Sequence, residues 1–224
     1  MKPKTIGIIG GAGPLAGALL LEKILIQSTA LYGCYKDADF PKIVLISFPF
    51  SEMLSGDLDT EQVRKELKQS LAQLRMLGAS VLAIACNTLH AFLEDERDSG
   101  DLVHVPRALA ESIVPSLEPL VLCTSTSVRY GLHKQFFPCT YPDCETQTRV
   151  DRIIDLVLKG GDRKNIIQQL DEIISAQIAK TIVLGCTELS LFAQQIKAGH
   201  SIILDPLEIT TKKILEKSFG RKVV

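Results

Sequence analysis

The fold is decided by two similar stretches, Val81-Leu-Ala-Ile-Ala-Cys86-Asn-Thr-Leu-His90 and Thr181-Ile-Val-Leu-Gly-Cys186-Thr-Glu-Leu-Ser190. In each stretch an apolar run ends in a cysteine, and small hydrogen-bonding residues and a predicted helix follow. A short apolar run bounded by turn-forming residues is typical of a strand buried on both faces, as in parallel sheets. The two stretches therefore predict two matched units, each made of a buried strand, a thiol and a helix.

Strand-like and helical patterns alternate along the rest of the chain. Besides the two quoted runs, the predicted strands are Thr5–Ile9, Ile43–Phe48, Val103–Val105, Leu120–Cys123 and Ile202–Leu204. The predicted helices are Leu15–Leu31, 60–77, Arg107–Leu117, Gln147–Leu158, 162–179 and Leu207–Ser218. Asp59 or Thr60, and Asp162 or Asn165, are the predicted starts of two of these helices. Such alternation predicts an α/β fold with parallel sheets.

A loop of small residues precedes each cysteine unit. Gly10–Gly13 follows the first strand, and Thr124–Ser127 follows the strand that opens the second half of the chain. The repeated order predicts a diverged duplication. We assign residues 1–106, completed by 205–224, to an N-terminal lobe and residues 107–204 to a C-terminal lobe. Because ligands of such sheets bind beyond the carboxyl ends of the strands, two facing lobes would gather both loops and both thiols around one cleft.

Composition argues against several classes of function. The 224-residue chain is 46% hydrophobic and 23% charged, and its formal net charge of −1 gives no sign of binding to nucleic acid or an anionic membrane. The apolar runs are too short to span a bilayer, and the N-terminal sequence lacks a signal-peptide pattern. We therefore predict a cytoplasmic protein with free thiols. Cys139 and Cys144 have a C-x4-C spacing, but no second close pair of metal ligands follows, so no zinc site is predicted.

The two cysteines of the matched units have the chemistry of an acid and a base. A thiol between a strand end and a helix start lies near unpaired N–H groups and the positive end of the helix dipole, and both favour thiolate. Inverting a stereocentre requires one group to remove a proton from one face of a carbon and another group to return a proton to the opposite face. Donors for a substrate carboxylate follow the thiols directly, at Asn87, Thr88, Thr187 and Glu188.

Other interpretations of these residues stay open. A single cysteine after an apolar strand is usually an inert core residue, and only the pair in matched settings favours chemistry. The Gly10–Gly13 loop is similar to a nucleotide-binding turn, but positions 11, 13 and 16 are Gly, Gly and Ala, so the G-x-G-x-x-G pattern is incomplete. His90 lies at a C-x3-H spacing from Cys86, where it would face solvent or cap a neighbouring element.

Four segments together resemble the aspartate/glutamate racemase superfamily, and most closely its aspartate racemase branch. They are Ile6–Pro14, Ala85–His90, Leu122–Ser127 and Leu184–Glu188, which occur in the family's order and span nearly the whole chain. The C-N-T-x-H and G-C-T-E pair is specific, and Gly10-Gly11 stands where the glutamate racemase branch usually has Asp-Ser. The resemblance implies a cofactor-independent amino-acid racemase of the aspartate or glutamate type.

The resemblance also implies an architecture and a set of site residues. The fold would be two Rossmann-like parallel-sheet lobes related by a pseudo-twofold axis, with the active site between them. No pyridoxal phosphate or metal would be used, the partner would be a small-molecule amino-acid substrate, and homodimers are common among relatives. Cys86 and Cys186 take the catalytic positions. The implied substrate-binding residues are Gly11, Asn87, Thr88, Ser127, Lys159, Thr187 and Glu188.

Two segments depart from the family pattern. Pro49–Met53 lacks the arginine with which aspartate racemases usually bind the side-chain carboxylate, and Glu52 would repel a second carboxylate if it faced the cleft. Thr124–Ser127 lacks the glycine of the family's T-x-G-T segment. These departures leave two alternatives open: a superfamily isomerase or decarboxylase acting on a related carboxylate, and a non-catalytic relative that binds a small molecule.

Overall fold

The structure is a computed structural model and describes residues 2–50, 58–93, 99–114, 118–197 and 199–222. The strands in these ranges are β1 (Ile6–Gly10), β2 (Ile43–Ser47), β3 (Val81–Ile84), β4 (Leu102–Val103), β5 (Leu120–Val121), β6 (Thr181–Val183) and β7 (Ile202–Leu204). The α-helices are α1 (Pro14–Tyr32), α2 (Thr60–Met76), α3 (Val105–Ser112), α4 (Ser125–Arg129), α5 (Cys144–Leu158), α6 (Arg163–Ser175) and α7 (Pro206–Phe219). Short 3₁₀ helices occupy Asp37–Asp39, Thr88–Phe92, His133–Gln135 and Leu189–Phe192.

The strands form two separate sheets, and every pairing within them is parallel. The first sheet has the order β2-β1-β3-β4 and the second the order β5-β6-β7. In the first sheet β1 pairs with both β2 and β3, so that Ile6 stands beside Ile43 on one side and Val81 on the other. The predicted α/β fold with two parallel-sheet lobes is confirmed.

The proposed division of the chain into lobes agrees with where the strands lie but stays a prediction. Strands β1–β4 all precede residue 106, and β5–β7 lie between residues 107 and 204. Helix α7 returns from the C-terminal end of the chain to pack against α1, α3 and β3. The boundary at residue 106 falls inside helix α3, whose Val105 and Leu109 pack with Val121 and Val183 of the second sheet.

Helices cover the faces of both sheets and make each core. In the first sheet, Leu67 and Leu71 of α2 pack on one face, and residues of α1 and α7 pack on the other. In the second sheet, Ile153 of α5 and Leu170 of α6 pack on Ile182 of β6. Burial on both faces explains why the strands read as continuous apolar runs rather than alternating ones.

Aspartate side chains cap most of the long helices. Asp59, Asp143 and Asp162 each accept a hydrogen bond from the backbone N–H three residues later, at 3.0, 2.8 and 2.8 Å. These bonds satisfy donors that a helix start would otherwise leave unpaired. Asp59 and Asp162 were among the predicted starts, and both are confirmed.

The elements that follow the two cysteines differ from the prediction. Instead of full helices, the chain makes the short 3₁₀ helices Thr88–Phe92 and Leu189–Phe192. Their side chains are almost entirely buried, in the core of their own lobe and in contacts with the opposite lobe, so tertiary packing overrides local helix propensity there. The predicted helix at 107–117 also starts earlier, at Val105, and residues 115–117 lie outside the described residues.

Helix α1 is long and apolar enough, by length and composition alone, to cross a membrane. This differs from the expectation that the apolar runs of the sequence are too short to span a bilayer. Its residues Leu20 and Ile24 are fully buried, and the helix packs against α7, β1 and β2. Because a core helix of a soluble protein passes the same test, this is weak evidence for a membrane span. The cytoplasmic location stays a prediction.

Candidate active site

One cavity of about 340 Å³ lies where the carboxyl ends of the two sheets meet. Cys86 follows β3 and Cys186 follows β6, and both thiols line this cavity. Six of the nine predicted site residues line it: Gly11, Cys86, Thr88, Lys159, Cys186 and Glu188. The other three, Asn87, Ser127 and Thr187, are buried behind these residues and bind across to the opposite lobe.

Two hydrogen bonds cross between the lobes in matching positions. The amide of Asn87, which follows Cys86, donates to the carbonyl of Gly185 at 2.9 Å. The hydroxyl of Thr187, which follows Cys186, donates to the carbonyl of Ala85 at 3.2 Å. Each residue after one cysteine therefore binds the carbonyl before the other cysteine, as a pseudo-twofold axis between the thiols requires. All these residues are buried, so water does not compete for the bonds.

Three hydroxyl groups form a second crossing contact. Thr88 Oγ1 lies 3.2 Å from Thr124 Oγ1 and 3.0 Å from Ser127 Oγ, and Thr124 Oγ1 lies 3.2 Å from Ser127 Oγ. Thr124 also caps helix α4 by accepting from the N–H of Ser127 at 3.1 Å. The loop without the family's glycine is therefore held by its own cap. Thr124 lines the cavity, and sequence reasoning had not singled it out.

Glu188 makes the corresponding contact in the opposite direction, toward the glycine loop of the N-terminal lobe. A Cβ atom at Gly13 would collide with Glu188 Oε1, and the φ of Gly13 is +83°, where residues with side chains are strained. The carboxyl is buried, and its Oε1 atom has no hydrogen-bond partner among the described residues. Cys186 Sγ donates to Oε2 at 2.8 Å. Burial raises the pKa of this carboxyl.

The two thiols are held in their protonated form. Burial, followed by the charge of Glu188, raises the pKa of Cys86 to about 12, although the N–H groups of Leu89 and Thr88 act in the other direction. Burial and Glu188 also raise the pKa of Cys186 well above that of a free thiol. The N–H groups at the start of the 3₁₀ helix therefore shift the pKa of Cys86 in the predicted direction, but burial outweighs them, so the thiol is favoured over the thiolate.

This pKa shift predicts slow alkylation near neutral pH. In a Cys144→Ser background, which removes the exposed thiol, we expect iodoacetamide to modify the peptides carrying Cys86 and Cys186 about tenfold faster per pH unit between about pH 7 and 10. A raised pKa moves the thiolate fraction to higher pH, so the rate should still be rising at the top of this range. Peptide mass spectrometry measures the rates, and a plateau already reached near pH 7 would contradict the shift.

Comparison with known proteins assigns this chain to a family. The model of the Asp/Glu/Hydantoin racemase family matches residues 9–214, which is nearly the whole chain. The chain belongs to this family. This confirms the predicted superfamily and makes the protein a member of a family of racemases.

Individual relatives are similar to this chain, in sequence or in fold, over most of their length. The broad specificity amino-acid racemase RacX of Bacillus subtilis is 24% identical over 208 residues, which are 88% of this chain and 91% of RacX. The aspartate racemase of Picrophilus torridus has a similar fold, with a TM-score of 0.78 at 22% identity, covering 99% of this chain and 96% of that one. An aspartate racemase homologue from Pyrococcus horikoshii is 26% identical with a TM-score of 0.72, covering 96% and 99%.

His90 of this racemase is a structural residue beside the cavity rather than part of its lining. Its Nε2 accepts from the N–H of Val105 at 3.2 Å, so Nδ1 carries the proton and donates to the carbonyl of Cys86 at 2.9 Å. The ring is fully buried, and burial lowers its pKa to about 4, which keeps it neutral. The prediction of a solvent-facing His90 is wrong, and that of a residue bound to a neighbouring element is confirmed.

Lys159 stands at the rim of the cavity. It ends helix α5 and binds Asp155 of the same helix, with Nζ 2.7 Å from Oδ2, and its side chain is 71% exposed. Asp155 also lines the cavity, and sequence reasoning missed it because an i, i+4 ion pair on a helix is a common surface feature. Among the described residues, Lys159 is the one cation that lines the cavity.

The predicted absence of a metal or pyridoxal phosphate stays a prediction. Within the ranges that the structure describes, no group of three or more His, Cys, Asp or Glu side chains could hold a metal ion. The two cysteines of the C-x4-C spacing lie in different environments: Cys139 is buried, and Cys144 is exposed at the start of α5.

Proposed function

We propose that this racemase inverts the Cα of a free amino acid without a cofactor, with Cys86 and Cys186 as the two acid–base groups. The observation that carries the proposal is the pair of thiols at matched strand ends, lining one cavity and held by matched hydrogen bonds between the lobes. One base cannot easily serve both faces of a planar carbanion, and two thiols from opposite lobes can.

The surroundings of the two thiols determine which thiol is ionised at the start of each direction of racemisation. Cys186 can pass its proton to Glu188 Oε2, 2.8 Å away, and the resulting thiolate removes the Cα proton of one enantiomer while the Cys86 thiol protonates the opposite face. This transfer leaves Cys86 as a thiolate, which the N–H groups of Thr88 and Leu89 stabilise, and leaves the original Cys186 proton on Glu188. The same state starts the reaction of the other enantiomer. The Cys86 thiolate then removes the Cα proton, the Cys186 thiol returns one to the opposite face, and the Cys186 thiolate takes its original proton back from Glu188.

The charge that develops on the substrate must also be stabilised. Removal of the Cα proton delocalises negative charge onto the α-carboxylate, so donors at that carboxylate act most strongly in the transition state. The Gly11–Gly13 backbone and the Thr88 and Thr124 hydroxyls line the cavity and are the proposed donors. Enclosure of the cavity by both lobes limits the access of water to the carbanion.

The activities of relatives support an amino-acid substrate. RacX of Bacillus subtilis is described as a broad specificity amino-acid racemase, and the Picrophilus torridus protein as an aspartate racemase. A glutamate racemase of Corynebacterium glutamicum is 27% identical over 178 residues, 71% of this chain and 63% of that protein. We also propose that the protein is a homodimer and is located in the cytoplasm.

Hydrogen exchange at Cα tests this function. We incubate the protein in D₂O with a panel of D- and L-amino acids and follow the loss of the Cα proton by NMR, with the optical rotation recorded in parallel. We expect exchange and inversion with at least one amino acid, and no requirement for added pyridoxal phosphate or metal. Absence of exchange with every member of the panel would refute the proposal and favour the non-catalytic binding alternative.

A further inference from the structure

We infer that the side chain of the substrate carries no carboxylate, an inference that rests on the proposed racemase function. The starting observation is the set of charged residues that line the cavity. Among the described residues these are Asp155, Lys159 and Glu188, two acids and one base. A second carboxylate on the substrate would therefore enter a site that has no excess positive charge to receive it.

The one base in this set is already paired. Lys159 Nζ lies 2.7 Å from Asp155 Oδ2 within the same helix, so the pair presents no net charge to a ligand. A substrate carboxylate could use Lys159 only by displacing Asp155, which would remain beside it. The negative charge of Asp155 beside a substrate carboxylate opposes binding even at the partly exposed rim of the cavity.

The acidic group opposite this pair makes no ion pair among the described residues. Glu188 lies buried against the Gly13 backbone, and its Oε1 atom has no hydrogen-bond partner in the described part of the chain. Its Oε2 atom accepts a hydrogen bond from the Cys186 thiol. When ionised, this carboxylate would repel a second carboxylate in the cavity and would not repel an amide or an aliphatic group.

The stretch of sequence directly after Phe50 contains no basic residue. Phe50 lines the cavity, and the segment that follows it, Ser51-Glu-Met-Leu-Ser-Gly-Asp57, contains no lysine, arginine or histidine. Glu52 itself lies outside the described residues. Phe50, Ile154 and Leu158 give the cavity an apolar portion of its wall. Apolar contacts together with a net acidic charge suit a side chain that is aliphatic, amide-bearing or cationic.

Matched pairs of substrates test the inference. Asparagine and aspartate, and likewise glutamine and glutamate, have nearly the same shape and differ in one negative charge. We expect kcat/KM for Cα exchange to be about 100-fold higher for the amide than for the acid in each pair. Exchange of aspartate or glutamate faster than the amide would overturn the inference while leaving the proposed function intact. No exchange with any amino acid would instead refute the proposed function.

A charge variant tests the physical cause. In Asp155→Asn, Lys159 loses its partner and becomes available to a substrate carboxylate, so we expect the amide-to-acid preference to fall about five- to tenfold. Glu145→Gln is the matched control, because Glu145 is an exposed acid on the same helix that does not line the cavity. Its preference should equal that of the wild type. An unchanged preference in Asp155→Asn would overturn the inference, which depends on that charge.

Discussion

Replacement of Cys86 or Cys186 by serine is expected to lower kcat for racemisation by about 10³- to 10⁴-fold. A serine hydroxyl has a similar size but is a much weaker acid than a thiol, so each variant loses one of the two proton-transfer groups. Because the other thiol remains, exchange of the Cα proton into D₂O can survive from one enantiomer in each variant. We expect Cys186→Ser and Cys86→Ser to retain exchange of opposite enantiomers. Chiral chromatography of each reaction, alongside NMR of the Cα proton, separates inversion from exchange.

Cys34→Ser provides the control for these two variants. Cys34 is also buried, and its thiol donates to the Asp39 carbonyl at 3.3 Å, a bond that a serine hydroxyl can make as well. It does not line the cavity, so its kcat should stay within about twofold of the wild type. Full racemase activity in either Cys86→Ser or Cys186→Ser would rule out the two-thiol mechanism, whatever the control shows.

Substitution of Gly13 by alanine is expected to have the second largest effect, a loss of about 100-fold in kcat/KM. The new methyl group would occupy the position of Glu188 Oε1 and displace the carboxyl that accepts the Cys186 proton. The same change places alanine at a φ of +83°, which by itself lowers stability by about 1–2 kcal/mol. Steady-state kinetics and a urea unfolding curve measure the two effects separately.

Gly33→Ala separates the backbone strain from the contact with Glu188. Gly33 has a φ of +72°, close to that of Gly13, but nothing lies within 4 Å of the position that its Cβ would take. We expect this variant to lose a similar free energy of unfolding and to keep its kcat/KM. If Gly33→Ala lost activity as strongly as Gly13→Ala, strain alone would account for the effect, and the contact with Glu188 would not be needed.

Most of the fold was predictable because local and global signals agree in this chain. Continuous apolar runs such as Val81–Ala85 are typical of strands covered on both faces. Strand β3 has residues in two core clusters, and helix α1 covers it in one of them and helix α2 in the other, from opposite sides. The aspartate caps at Asp59 and Asp162 could be predicted from the sequence because capping is a contact between near neighbours in the chain. The two short 3₁₀ helices could not be predicted in this way, since their side chains are buried against elements distant in sequence.

The candidate site was predictable in its residues more than in its chemistry. The matched motifs located Cys86 and Cys186, but the pKa of each thiol depends on burial and on Glu188, which only the packed structure shows. The pairing of Lys159 with Asp155 is likewise a matter of side-chain geometry, and it changes what a lysine at that position can bind. Sequence motifs identify which groups meet, whereas the balance of desolvation and charge among them is a tertiary property.

The matched bonds of Asn87 and Thr187 have the form of an isologous interface, in which one surface meets a copy of itself and every contact occurs twice. Here both surfaces belong to a single chain. Bringing the two thiols together is therefore an intramolecular event, independent of protein concentration, and dilution should not separate them. The covalent link also frees the two halves from being identical, so that Glu188 can stand beside one thiol while a threonine occupies the equivalent place beside the other.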